Sequence, residues 1–172
     1  MPATLSPLLS DEDEHRLDRI LRALRDRALT LATAESCTGG LLSSLFTDVE
    51  GCGHIFEAGF VTYSNEAKSR FLGIDAELIE RRGAVSREVA LAMAEGARER
   101  SGADIALATT GFTGKAGADG EAGLVHFACA IRDRPTFHAE RHFHTEERGK
   151  ARRRALSEAI VMLQNALDAS AR

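Results

Sequence analysis

The sequence lacks several features that would each indicate a class of protein. Among its 172 residues it has no tryptophan, one tyrosine and three prolines. No stretch approaches the roughly 18–20 uninterrupted apolar residues of a transmembrane helix. The first residues, MPATLSPLLSDEDEH, lack the basic start and apolar core of a signal peptide. We therefore expect a cytoplasmic protein that does not bind membranes.

The chain also lacks an excess of basic residues and a patterned set of cysteines. Its formal net charge is -4, whereas a nucleic-acid-binding surface is normally basic, so no nucleic-acid partner is expected. The run RGKARRR, residues 148–154, is a local exception that we interpret as a solvated helix face. Cys37, Cys52 and Cys129 are odd in number and irregularly spaced, which predicts reduced thiols.

Three of the six histidines lie in the segment FHAERHFHT, as His138, His142 and His144. Alternation along a strand would place them on one face, where a metal ion is conceivable. Polar residues on such a strand more often face solvent. We predict neither a metal ion nor another cofactor.

What the sequence does contain is an alternation of helix and strand patterns. Helices are predicted at residues 11–28, 41–49, 64–73, 75–82, 85–100 and 145–168. Strands are predicted at residues 29–36, 53–63, 103–111, 123–131 and 135–144. Because the strands interleave with helices and the last two are consecutive, we predict a single domain over residues 1–172. Its fold class is α/β, a three-layer α/β/α sandwich on a mixed sheet.

Capping residues support these boundaries. Ser10 and Ser86 precede the first and fifth helices as N-caps, and either Ser64 or Asn65 caps the third. Gly73 is placed to end the third helix.

The segment ATAESCTGGLLSSLFT, residues 32–47, joins a strand to a helix through a glycine pair. Glycines let the backbone approach a ligand, and the following helix offers free N–H groups and its positive dipole end. The segment therefore suggests an anion-binding loop with Ser36 or Cys37 as a nucleophile. The simpler alternative is that Ser36 or Thr38 only caps the helix.

Two further strand ends carry reactive groups. Tyr63 ends one strand in YSNEAK, and Lys68 follows in the first turn of the next helix. If this lysine is partly buried, burial and the helix dipole both lower its pKa, and a neutral lysine is a competent general base. TTGFTG, with Thr109 and Thr110, places hydroxyls and N–H groups at a strand tip, as an oxyanion hole requires. With no His/Asp relay apparent, a Ser–Lys pair is the natural hydrolytic arrangement.

Four segments in this order and spacing resemble the CinA C-terminal domain family, over about residues 12–168: ATAESCTGGLL, GFVTYSNEAK, GAVSREVALAMAEGAR and ALATTG. Active members of this competence/damage-inducible family are nicotinamide-mononucleotide deamidases. The resemblance implies a small-molecule nucleotide substrate, hydrolysed to nicotinic acid mononucleotide and ammonia. It also suggests a homodimer or larger homo-oligomer, to which the first helix could contribute.

Position by position, the resemblance implies that Ser36 is the nucleophile and Lys68 its general base. Tyr63 and Thr110 match positions lining that site, and Thr110 would hold the oxyanion with nearby N–H groups. Cys37 is then a neighbour of the nucleophile rather than the nucleophile itself.

The resemblance also implies substrate-binding positions. Cys37 and Gly111 would line the substrate. The phosphate would meet either the helix start at Thr38, Gly39 and Gly40 or an arginine at the start of the last helix. For that arginine we rank Arg148 before Arg152.

One loop departs from the family pattern. Residues 111–123, GFTGKAGADGEAG, lack the family's proline and the Lys-Pro pair before Gly123. Lys115 or Asp119 could supply a replacement contact. The departure leaves two alternatives open: a non-catalytic relative that binds a nucleotide or a protein, and a hydrolase of another amide or ester.

Overall fold

The computed structural model describes residues 9–49, 52–114 and 120–169. The helices are α1 (Asp11–Asp26), α2 (Leu41–Thr47), α3 (Asn65–Leu72), α4 (Ala76–Arg82), α5 (Arg87–Ser101) and α6 (Arg148–Ala169). The strands are β1 (Leu31–Glu35), β2 (Phe56–Val61), β3 (Ile105–Gly111), β4 (Leu124–Ile131) and β5 (Phe137–His142). Each predicted element is present, with ends that differ by a few residues.

The strands form one five-stranded sheet in the order β2-β1-β3-β4-β5. β1 is parallel to β2 and β3, whereas β4 is antiparallel to β3 and β5. One apolar cluster lies under α1, α2 and α6, and the other under α3, α4 and α5. The predicted α/β/α sandwich on a mixed sheet is confirmed. None of the described helices is long and apolar enough to cross a membrane.

The alternation of side chains along β3 explains the two layers. Ile105 and Leu107 belong to the cluster under α1 and α6, whereas Ala106 and Ala108 belong to the cluster under α5. Alanines on the second face let α5 pack closely across the centre of the sheet, because they present little volume.

Serine caps fix the helix starts. The hydroxyls of Ser10, Ser64 and Ser86 accept the amides of Asp13, Ala67 and Val89, respectively. Ser64 rather than Asn65 is therefore the cap of α3. Gly73 ends that helix in the left-handed region, with a φ of 72°, as predicted.

The last helix begins at Arg148, three residues later than the predicted Thr145. His144 has a φ of 48°, which turns the chain sharply after β5. The Thr145 hydroxyl then accepts the Glu147 amide at 3.2 Å, closing a turn ahead of the helix.

Gly96 marks the closest packing between α5 and α3. A Cβ added there would lie 2.1 Å from the backbone oxygen of Leu72. Gly96→Ala adds about 1 kcal/mol of helix propensity. The clash with backbone outweighs this gain, so we expect a net loss of about 1–3 kcal/mol in the free energy of unfolding.

Chemical denaturation of Gly96→Ala measures this loss. Gly53→Ala is the matched control, because a Cβ at Gly53 meets no atom within 4 Å. A Gly96→Ala protein as stable as the wild type would contradict the close contact.

Candidate active site

Ser36 and Lys68 meet at the carboxyl end of β1. Ser36 directly follows the strand, and its amide donates to the Thr109 carbonyl at 2.9 Å. Lys68 lies in the first half of α3, and its side chain is fully buried (0% exposed). Its Nζ lies 3.2 Å from Ser36 Oγ, 2.7 Å from the Thr62 carbonyl oxygen and 3.2 Å from that of Tyr63.

All three partners can accept from Lys68 Nζ, and two of them are enough for the protons of a neutral amine. The Thr62 and Tyr63 carbonyls can only accept, so they take the two protons of a neutral Lys68. The remaining lone pair then faces the Ser36 hydroxyl, which can donate to it. Burial lowers the pKa of Lys68, as the sequence predicted for a buried lysine. No carboxylate of the described residues lies within ion-pair distance of Lys68 to reverse that shift.

Cys37 is buried beside the pair, with 4% exposed. Burial raises the pKa of its thiol to about 12. Since the thiolate is the reactive form of cysteine, this side chain is inert at neutral pH. The environment therefore favours Ser36 as the nucleophile. Cys37, Cys52 and Cys129 all carry free thiols, as predicted.

A cavity of about 300 Å³ opens in front of the pair, at the lower end of the range for small-molecule sites. It is lined by Ser36, Cys37, Tyr63, Val85, Gly111, Phe112, Thr113, Gly114 and Arg148. Five of these were predicted as site residues. Val85 and the run 112–114 were missed, although the first lies in the GAVSRE motif and the second in the glycine-rich loop.

Tyr63 and Arg148 stand at the mouth of this cavity. Tyr63 is 64% exposed, so only its carbonyl belongs to the buried Lys68 site. Arg148 is the first residue of α6, and its Nη2 donates to the Tyr63 hydroxyl at 3.3 Å. This contact leaves the guanidinium beside the opening, where it can meet an anionic group.

Thr110 does not take the predicted position. Its side chain is fully buried, and its hydroxyl donates to the Ala84 carbonyl at 2.7 Å. A hydroxyl has a single proton, so Thr110 has none left for an oxyanion. This arrangement therefore does not support the prediction that Thr110 holds the oxyanion.

The start of α2 is also not the open anion site that the sequence suggested. The amides of Gly40, Leu42 and Ser43 all donate to the Glu35 carboxylate, at 3.0, 3.0 and 2.7 Å. Gly40, with a φ of 93°, is the N-cap, so neither Ser36 nor Thr38 caps this helix. The helix start is therefore occupied by the protein's own carboxylate.

The loop between Ser36 and Gly40 is held at its centre. The Thr38 hydroxyl is 2.8 Å from that of Thr109, and the Thr38 carbonyl accepts from Arg152 Nη2. A Cβ at Gly39 would approach this same Arg152 nitrogen at 3.1 Å. Arg152 thus supports the loop rather than facing solvent, which corrects the interpretation of RGKARRR as a wholly solvated face.

The histidines of the segment 137–145 contact glutamates and His126. His142 lies between the carboxylates of Glu121 and Glu140, at 2.9 and 2.8 Å. His138 contacts His126 at 3.1 Å. Across the described ranges, no group of three or more His, Cys, Asp or Glu side chains is arranged to hold a metal ion.

Comparison with known proteins identifies the family. The model of the CinA C-terminal domain matches residues 13–167. The chain belongs to the CinA C-terminal domain family. The resemblance predicted from the four sequence motifs is confirmed.

Several relatives carry the CinA name. A CinA-like protein of Geobacter sp. (strain M21) is 42% identical over 160 residues, covering 93% of this chain and 39% of the relative. A CinA-like protein of Geotalea daltonii is 49% identical over 122 residues, covering 69% and 30%. The chain thus spans about a third of the length of these curated relatives.

Solved CinA structures share the whole fold. The competence/damage inducible protein CihA from Agrobacterium tumefaciens superposes with a TM-score of 0.88 at 38% identity, covering 93% of this chain and 98% of that one. A CinA superfamily protein from Escherichia coli gives 0.84 at 36% identity, covering 91% and 92%.

Proposed function

We propose that this protein is an amidohydrolase that converts nicotinamide mononucleotide into nicotinic acid mononucleotide and ammonia. The observation that carries the proposal is the Ser36 Oγ to Lys68 Nζ distance of 3.2 Å, within a buried pair that opens onto a cavity. Membership of the CinA family supports the choice of substrate.

The first half of the reaction forms an acyl-enzyme. The lone pair of neutral Lys68 takes the Ser36 proton while Oγ attacks the carboxamide carbon. The tetrahedral intermediate collapses as the resulting Lys68 ammonium gives its proton to the departing nitrogen. Ammonia leaves, and the nicotinoyl group remains as an ester on Ser36.

The second half repeats these roles with water. Lys68 accepts a proton from a water molecule that attacks the ester carbonyl, then returns it to Ser36 Oγ. Nicotinic acid mononucleotide leaves with the new carboxylate. The Thr62 and Tyr63 carbonyls accept from Lys68 in both protonation states, so the amine keeps its position throughout.

The oxyanion needs donors other than Thr110. We place them among groups at the cavity: the amide of Cys37, which follows the nucleophile as in serine hydrolases with a nucleophile elbow, and the hydroxyl of Thr113. Thr113 is buried and lines the cavity. Lys115 and Asp119, considered as replacement contacts in this loop, lie outside the described residues.

Arg148 is the proposed phosphate ligand, because Glu35 occupies the α2 start. Arg148→Ala is expected to raise KM for nicotinamide mononucleotide by about 10- to 100-fold, the equivalent of one charge-assisted hydrogen bond, with kcat little changed. Steady-state kinetics measures this split. Arg153→Ala, an exposed arginine of the same helix, is the control.

Nicotinamide riboside, which has no phosphate, sharpens this test. Arg148→Ala should leave its hydrolysis unaffected, since the missing guanidinium has no partner on that substrate. If Arg148→Ala lowered kcat/KM equally for both substrates, Arg148 would not bind the phosphate.

The proposed reaction is tested by incubating the purified protein with nicotinamide mononucleotide and following ammonia and nicotinic acid mononucleotide. Other pyridine nucleotides and simple amides run in parallel. Turnover of a different amide alone would assign another substrate. If calorimetry detected binding of the nucleotide and the protein hydrolysed none of the substrates, the non-catalytic alternative would be favoured.

A further inference from the structure

We infer that Glu35 is a positioning residue, whose buried carboxylate fixes the loop that carries Ser36 and, through the backbone, the lysine that activates it. The inference rests on the proposed function only in taking Ser36 as the nucleophile. Glu35 itself is not among the residues that line the cavity, and the donors bound to its carboxylate belong to Gly40, Leu42 and Ser43. It lies on the opposite side of the sheet, because successive residues of a strand point to opposite faces.

The Glu35 carboxylate is fully buried and is bound by four donors. One oxygen accepts the amides of Gly40 and Leu42, and the other accepts the amide and the hydroxyl of Ser43. All four partners donate, which is what an ionised carboxylate requires. No cation of the described residues forms an ion pair with it, so backbone amides and the positive end of α2 stabilise the charge.

This arrangement closes the chain between residues 35 and 43 into a tight loop. The carboxylate joins the residue before Ser36 to the helix start that follows it. The Ser36 amide is held from the other side by the Thr109 carbonyl. Ser36 therefore has little freedom to move along the strand or away from the sheet.

The backbone of Glu35 is also connected to Lys68, the proposed general base, through hydrogen bonds. Its carbonyl accepts the Thr62 amide at 2.9 Å, and the Thr62 carbonyl in turn accepts from Lys68 Nζ at 2.7 Å. Two hydrogen bonds thus connect the residue before the nucleophile to the general base. The Ser36–Lys68 distance depends on both connections.

A helix cap alone does not require a buried glutamate. Serine caps at residues 64 and 86 serve that purpose elsewhere in this fold, and neither hydroxyl is bonded to a buried carboxylate. Burying a carboxylate carries a large desolvation penalty, and a carboxylate with four fixed partners gives a more rigid loop than a single hydroxyl cap. At the loop before α2 the protein accepts this penalty for Glu35, whose side chain is fully buried.

Glu35→Gln tests the inference, because it keeps the shape and removes the charge. The amide NH₂ would face backbone N–H groups that now donate to an oxygen, so the loop must shift. A displacement of roughly 1 Å at a reacting group lowers the rate about 100-fold, so we expect that loss in kcat with KM for nicotinamide mononucleotide nearly unchanged. In the crystal structure of the variant, Ser36 Oγ should lie beyond hydrogen-bonding distance of Lys68 Nζ.

Glu57→Gln makes the same chemical change at an exposed site on β2 and should behave as wild type. If Glu35→Gln does not fold, Ser43→Ala removes one of the four hydrogen bonds and keeps the charge. The expected loss of kcat is two- to tenfold, which corresponds to about one hydrogen bond.

A variant with lowered Tm but wild-type kcat and an unchanged Ser36–Lys68 distance would show that Glu35 contributes only to stability, and would overturn the inference. A wild-type protein without turnover counts against the proposed function alone, because the distance in Glu35→Gln still decides the role of Glu35.

Discussion

Ser36→Ala is expected to abolish ammonia release from nicotinamide mononucleotide, with kcat falling by about 10⁴-fold or more, as for the loss of a catalytic serine that acts with its base as a unit. The alanine lacks the Oγ that lies 3.2 Å from Lys68 Nζ, so no acyl-enzyme can form. The fold should be unaffected, because the Ser36 amide keeps its bond to Thr109. Coupled detection of ammonia, with product analysis for nicotinic acid mononucleotide, measures the loss.

Two matched variants make this result specific. Ser69→Ala removes a hydroxyl from α3 outside the cavity and should retain wild-type turnover. Cys37→Ala tests the neighbouring thiol. Turnover that survived in Ser36→Ala and was lost in Cys37→Ala would assign the nucleophile to the thiol, against its raised pKa.

Secondary structure and layering were predictable from local patterns. The apolar run that became β3 and the capping serines at 10, 64 and 86 each specify their element with residues close in sequence. The start of α6 was not predictable to the residue, since the left-handed turn at His144 has no glycine to indicate it.

The parts of the candidate site that depend on a single reactive side chain were predictable from the sequence. Ser36, Lys68, Tyr63 and Arg148 were expected at strand ends and helix starts. The fold brings Ser36, Tyr63 and Arg148 to one cavity, and Lys68 lies within hydrogen-bonding distance of Ser36. Carboxyl ends of parallel strands meet at the same edge of a sheet, so β1 and β2 necessarily deliver Ser36 and Tyr63 together.

Two of the expectations that the structure does not support share a physical cause. Thr110 and Gly40 were assigned ligands because their donors looked free in the sequence, and each of the two donates to a protein group in the fold. The Ala84 carbonyl lies 26 residues from Thr110, so local sequence could not reveal it. Glu35 is adjacent to Ser36, and a glutamate ending an apolar strand was the one available signal that the helix start was already occupied.

Glu35 and Ser36 show how one dipeptide serves both layers of the sandwich. The glutamate faces α2 and stabilises the loop, while the serine faces α3 and meets Lys68. The end of one strand can contact a helix on each side of the sheet because successive side chains point to opposite faces.

Lys68→Met is expected to lower kcat by about 10²–10⁴-fold, the usual contribution of a general base, while keeping a side chain of similar length. In the wild type, kcat/KM should rise with pH as Lys68 loses its proton, because only the neutral amine can accept from Ser36. Because the pKa of Lys68 is lowered, this rise should lie below the range of an exposed lysine. Lys150→Met, at an exposed lysine in the first turn of α6, is the control and should retain both rate and pH profile.

Protein stability gives a second test of Lys68 that is independent of any substrate. Its pKa is lower in the folded than in the unfolded chain, so between those two values the unfolded chain binds more protons. The contribution of Lys68 to the free energy of unfolding therefore rises with pH across that window and levels off above the unfolded value of about 10.4. The buried thiols of Cys37 and Cys129, whose pKa values are raised to about 12, lower the stability at alkaline pH in the wild type and in both lysine variants, so the rise is measured as the difference between proteins. Lys68→Met should lose this rise, while Lys150→Met keeps it, and denaturant titrations at several pH values measure both. If the same rise persisted in Lys68→Met, the buried amine would not be the group that titrates, and the proposal that Lys68 activates Ser36 as its base would be contradicted.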